Sequence, residues 1–144
     1  MADINRFIEP HTKAYKTALE EIKRGHKETH WIWYIFPQLV GLGYSSTANY
    51  YGIEDLNEAT DYLNHPILGK DLIEITEELY KQTNHIDDIF PYPDNLKVKS
   101  CMTLFELVDE SPDIFANVLE KFYDGARDDR TLELLDLEQN KSIR

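Results

Sequence analysis

One segment of the chain has the side chains to open a β-sheet, and nothing else in the chain can complete one. Residues 30–36, His-Trp-Ile-Trp-Tyr-Ile-Phe, join aromatic and β-branched residues that suit a pleated surface. By periodicity alone, a continuous apolar run of this length fits a buried helix equally well. Only Val40–Tyr44 could pair with it, and Gly41 and Gly43 interrupt that stretch. A lone hairpin is marginal in water. The pattern therefore predicts a short buried helix over 29–35, with Thr29 as its cap and Pro37 ending it.

Elsewhere proline and glycine punctuate segments of helical period. A first helix is expected over about Pro10–Arg24, after a short turn at Phe7 and Ile8. Pro10 suits a first turn and Gly25 supplies the stop. Further helices are expected from Ser45 or Ser46 to Tyr50, over Asp55–Leu63, and after His65-Pro66 with Leu68, Leu72, Ile75, Thr76 and Leu79 on one face. A brief turn spans Ile86–Phe90. Asp94 caps a helix to about Val108, Ser111-Pro112 opens one closed by Gly125, and Asp128 or Asp129 begins a last one that frays near Glu138. The fold class is all-α. The expected core is Trp31, Ile35, Leu68, Leu72, Ile75, Leu79, Cys101, Leu104, Phe105, Phe115, Leu119 and Phe122.

A chain of 144 residues with 42% hydrophobic side chains predicts one domain over 1–144 with a packed core and a C-terminal tail at about 139–144. The single Cys101 excludes a disulfide framework within the chain and any multi-cysteine zinc site. Without a membrane-length apolar run or a signal-peptide pattern, the expectation is a soluble, cytoplasmic protein. Net charge is −12, and residues 54–94 hold eleven acids against only Lys70 and Lys81. Such a surface repels a nucleic-acid duplex and an anionic bilayer, so neither is an expected partner.

Several motifs reduce to ordinary structure. Gly41-Leu42-Gly43 lacks the strand before it and the third glycine of a dinucleotide fingerprint, and reads as turn residues with positive φ. His26 and His30 are four apart, but Gly25 breaks the helix that would align them, and no third ligand stands nearby. No metal or cofactor is expected. Cys101 falls on the apolar side of its helix and reads as packing material.

Two features resist that reduction. Lys97, Cys101, Leu104 and Val108 share a stripe at about 100° per residue, with Lys99, Thr103 and Glu106 marking the solvent side. A lysine there meets both the core and the unfavourable end of the helix dipole. It therefore needs a carboxylate, a bound anion or a route for its ammonium to water. The stretch Asp124–Thr131 also sets Arg127 and Arg130 between two helix ends, as surface ion pairs or as an anion clasp.

The stretch His30–Gln38 with Gly41-Leu42-Gly43, then His65–Gly69, Asp94–Phe105 and Asp129–Leu132, resembles in order a bacterial family. It is the domain-of-unknown-function family eighteen-ten, sometimes labelled calpastatin-like, and the likeness runs over about residues 7–132. The resemblance implies a single all-helical, solenoid-like domain and no established activity. Where the family pattern leads one to expect proline and arginine, this chain has Lys70-Asp71.

The leading functional expectation is binding or processing of an anionic small molecule, nucleotide- or ADP-ribose-like. His30 and Gln38 would be hydrogen-bonding groups and Trp33 a stacking face. Lys97 with Arg127 or Arg130 would clamp the anion, and Ser100 joins the candidates from the same helix as Lys97. No catalytic residue is assigned. The alternative is a protein–protein interaction module without catalytic activity, its partner unspecified.

Overall fold

The computed structural model describes the backbone of residues 3–143 and the side chains of residues 3–136. Among them a 3-10 turn (Ile4–Phe7) precedes nine helices: α1 Ile8–Lys23, α2 Ile32–Ile35, α3 Ser46–Tyr51, α4 Leu56–Asn64, α5 Leu68–Tyr80, α6 Ile86–Ile89, α7 Asp94–Glu106, α8 Ile114–Phe122 and α9 Asp129–Ile143. The all-α expectation holds, with no β-strand among the described residues. The last helix does not fray at Glu138 but runs to Ile143. The side chains of the expected tail at 139–144 lie outside the described residues.

Local chemistry explains most boundaries. The Asp55 carboxylate accepts the Glu58 N–H at the start of α4, and the His65 ring nitrogen Nδ1 accepts from Ile67 and Leu68 ahead of α5. Asp128 caps α9 by accepting from the Thr131 N–H and hydroxyl. Gly125, at φ +78°, takes the left-handed conformation that ends α8.

The 30–36 segment is helical but shorter than expected: one turn, Ile32–Ile35. Thr29 does not cap it, because its hydroxyl donates instead to Glu21. The glycine-broken segment after it finds a different partner. Val40 N–H donates to Ile53 O at 2.8 Å and Ile53 N–H to Gln38 O at 2.9 Å, making an isolated parallel bridge between Leu39 and Ile53. Of the two glycines, Gly41 has positive φ as expected, whereas Gly43 answers a close approach: a Cβ there would lie 2.6 Å from that of Ala48.

Helix α7 runs through the middle, against α4, α6, α8 and α9, while α5 packs on α1, α4 and α8. Val98 and all of Ser100–Phe105 are buried, so α7 is surrounded rather than amphipathic. That corrects the expected solvent side. Thr103 is fully buried, and its hydroxyl accepts the Asp128 N–H at the entry to α9. Phe122, expected in the core, is only partly buried, because it lies at the end of α8 beside Lys121. The other eleven expected core residues are buried.

Candidate functional site

Two recesses share one wall, formed by Ile32 and Trp33 of α2. A narrow niche of about 10 Å³, space for little more than a water-sized group, is lined by Trp33, Phe36, Gln38, Tyr51, Gly52 and Lys97. On the other side of Trp33 lies a wider recess of about 290 Å³, bounded by Lys27, His30, Tyr92 and Asp94 among others. Only the second approaches the ordinary size range of small-molecule sites.

The wall is set by a buried carboxylate that no sequence pattern announced. Glu21 of α1 is 1% exposed and accepts from Glu28 N, Thr29 N, Thr29 Oγ1 and the Trp31 indole nitrogen at 2.7–3.1 Å. Burial works to raise its pKa. The hydrogen bonds from Thr29, Glu28 and Trp31 together outweigh burial and hold it at about 2. The loop leading into α2 is thereby anchored, with Trp31 in the core and Trp33 turned to the recesses. From behind, His11 reaches the Tyr34 carbonyl at 3.2 Å and Asp71 at 2.9 Å. Asp71 is thus engaged in structure.

The opposite lip of the niche is held by Arg6. Its guanidinium meets Glu58 through two bonds, at 2.8 and 2.9 Å, and donates to the carbonyls of Tyr50 and Gly52. Both side chains of this ion pair are 7% exposed. Arg6 thus fixes the backbone that carries Tyr51 and Gly52 into the lining.

The charges at the shared wall are unequal. Asp94, in the first turn of α7, binds Lys27 at 2.8 Å through one oxygen and faces Lys97 at 3.7 Å through the other. Lys27 is nearly enclosed, its ammonium also 5.0 Å from the Trp31 ring centroid. Lys97 is 26% exposed and lies 5.4 Å from the Trp33 centroid. Two ammonium groups thus share one carboxylate, and Lys97 has the weaker share.

The expected site residues divide by place. Trp33, Gln38 and Lys97 line the same niche. His30 is exposed on the wider recess, its carbonyl accepting from the Tyr34 hydroxyl. Ser100 is buried and donates to the Leu96 carbonyl, outside both linings. Arg127 lies near the other end of α7, paired through two nitrogens with Glu106 and through one with Glu120. Arg130 pairs with Glu133 on the surface. Neither arginine lines the niche or the wider recess.

Sequence reasoning missed Lys27 and Asp94. Asp94 was expected to cap α7, yet it is the first helical residue and its carboxylate is taken by lysines. The three-residue spacing between Asp94 and Lys97 was a visible signal of that pair; nothing local marked Lys27. Among the described residues no cluster of three histidine, cysteine or carboxylate groups could hold a metal ion. No described helix is long and apolar enough to cross a membrane.

Over residues 1–135 the chain matches the family described as Protein of unknown function (DUF1810). Among solved structures it is similar to the conserved hypothetical protein Rv1873 from Mycobacterium tuberculosis. Identity is 41% over 94% of this chain and 97% of that one, with a TM-score of 0.91. No curated protein matches it.

Proposed function

Since this chain belongs to the DUF1810 family of proteins of unknown function, its site is read from its own chemistry, and we propose that it binds an anionic small molecule carrying a planar ring, of the nucleotide or ADP-ribose class. One observation carries the reading: two lysines share a single carboxylate at the Trp33 wall of a chain whose net charge is −12. Two ammonium groups thus gather at one wall of an acidic chain, and the less-held one, Lys97, borders open space.

In this reading the ligand divides between the two recesses. The ring lies in the wider recess against Trp33, with Tyr92, 78% exposed, at its rim and His30 within hydrogen-bonding reach of the ring's substituents. The anionic group meets Lys97 and the Gln38 amide, the niche admitting only a small group at its floor. Arg127 and Arg130 take no part, being engaged by Glu106 and Glu133.

Isothermal titration with AMP, ADP-ribose and inorganic phosphate tests this. The two ring-bearing probes should bind, phosphate more weakly, with Trp33 fluorescence changing in the wild type and in Trp31→Phe. Lys97→Met should weaken binding by about tenfold or more, the effect of losing a close charge contact. If none of the three probes binds, or if Lys97→Met binds as the wild type does, the reading is wrong.

A further inference from the structure

The asymmetry of the Asp94 contacts has a functional meaning if the site takes an anion, and the inference rests on that reading. We propose that Asp94 is a built-in competitor for Lys97: an internal carboxylate, bordering the neighbouring recess, that draws on the Lys97 ammonium and sets how strongly a ligand must bind to displace it.

The geometry separates the two lysines by role. Lys27 lies 2.8 Å from Asp94 and is almost wholly enclosed, so it has no other partner of charge to turn to. Lys97 is 3.7 Å away, beyond a good hydrogen bond, and partly open to the niche. Asp94 is held by Lys27 and leans on Lys97. An anion arriving at Lys97 therefore breaks only the looser contact, while the tighter one keeps Asp94 in place. Glu28 and His30, which border the wider recess, are both exposed and screened by water, so the less exposed set of Lys27, Asp94 and Lys97 weighs more at short range.

In charge terms the set Lys27, Asp94 and Lys97 presents +1 to a ligand. Asp94→Asn raises it to +2. Lys27→Met lowers it to zero and frees Asp94 to close fully on Lys97. The double variant returns it to +1 with the competitor absent. A scaffold role alone predicts something else, since every one of these changes would then damage the wall and weaken binding.

The experiment is titration of AMP and ADP-ribose into the wild type, Asp94→Asn, Lys27→Met and the double variant, with Lys97→Met as the reference for a lost site. A unit charge at this range in a partly screened setting changes affinity by about fivefold or more. Asp94→Asn should bind that much more tightly than wild type and Lys27→Met that much more weakly. The double variant should be at least as tight as wild type, and its neutral pair keeps the test alive where Asp94→Asn alone strands Lys27 and unfolds. Binding by wild type that is abolished in Lys97→Met, yet unchanged or weakened in Asp94→Asn, or, where that variant unfolds, weakened in the double variant, overturns the competitor and leaves the anion site standing. No binding by the wild type or any variant overturns the anion site, and the competitor with it.

Discussion

The Trp31 indole N–H donates to the Glu21 carboxylate at 2.9 Å in a setting that is almost entirely dry. A carboxylate with four donors keeps its charge at low pH only while those donors stay in place. Its folded pKa of about 2 lies below its ordinary value of 4.5, so the unfolded chain takes up the proton first. The resulting stability is fully present above about pH 4.5 and fades as pH falls toward 2, amounting to roughly 3 kcal/mol. Denaturant midpoints measured from pH 6 to pH 2 should show this decline in the wild type. Glu21→Gln should start lower and fall less over the same interval.

Arg6 and Glu58 form an enclosed ion pair whose arginine also serves three backbone carbonyls. Removing one partner strands the other, which typically costs about 3–5 kcal/mol. Urea denaturation of Glu58→Ala should show a loss of that size, whereas Lys13→Ala, which removes an exposed pair with Glu9, should leave the midpoint nearly unchanged.

Lys27 and Lys97 share Asp94 but should differ sharply in stability effect. Lys27→Met leaves Asp94 without its close partner and is expected to cost about 2 kcal/mol or more. Lys97→Met removes only a loose, partly wet contact and should stay within about 0.5 kcal/mol of the wild type. Thermal unfolding of the two variants at one pH and salt concentration checks the contrast.

At Gly69 the first turn of α5 crosses the end of α4 so closely that a Cβ would lie 1.8 Å from the Leu63 carbonyl oxygen. Gly69→Ala gains about 1 kcal/mol of helix propensity, far less than a clash with backbone costs. Soluble yield and unfolding midpoint should both drop, by about 3 kcal/mol or more in stability.

Leu104 is fully enclosed in α7, and Leu104→Ala should lose about 2–5 kcal/mol in urea denaturation. A Leu132→Ala control, at an exposed position of α9, should change little.

What was legible in the sequence was whatever is decided locally. Pro and Gly boundaries, the Asp55 cap and the period of α5 each depend on neighbours a few residues away, and they placed most of the helices. Helix phase failed at Thr103, because α7 is enclosed on the side where a surface stripe was expected; its partner Asp128 is twenty-five residues distant. The site was half legible for the same reason. Trp33, Gln38 and Lys97 are conspicuous residue types near turns. Glu21, Glu58 and Lys27 look like ordinary surface charges until tertiary packing closes over them. Arg127 had the right chemistry for an anion and was claimed by Glu106, a competitor twenty-one positions back.

The bridge between Leu39 and Ile53 makes residues 40–52 a buckled strap whose clasp is two backbone hydrogen bonds. Ala48, Tyr51 and Gly52 of the niche all ride on that strap, whereas Trp33 and Lys97 are rooted in α2 and α7. One side of the niche is therefore tied down by that clasp and by Arg6 on the Tyr50 and Gly52 carbonyls, the other by its parent helices, and the amides of Val40 and Ile53 report on the clasp. Their exchange with deuterium should slow in the presence of a bound ligand even though neither amide touches it.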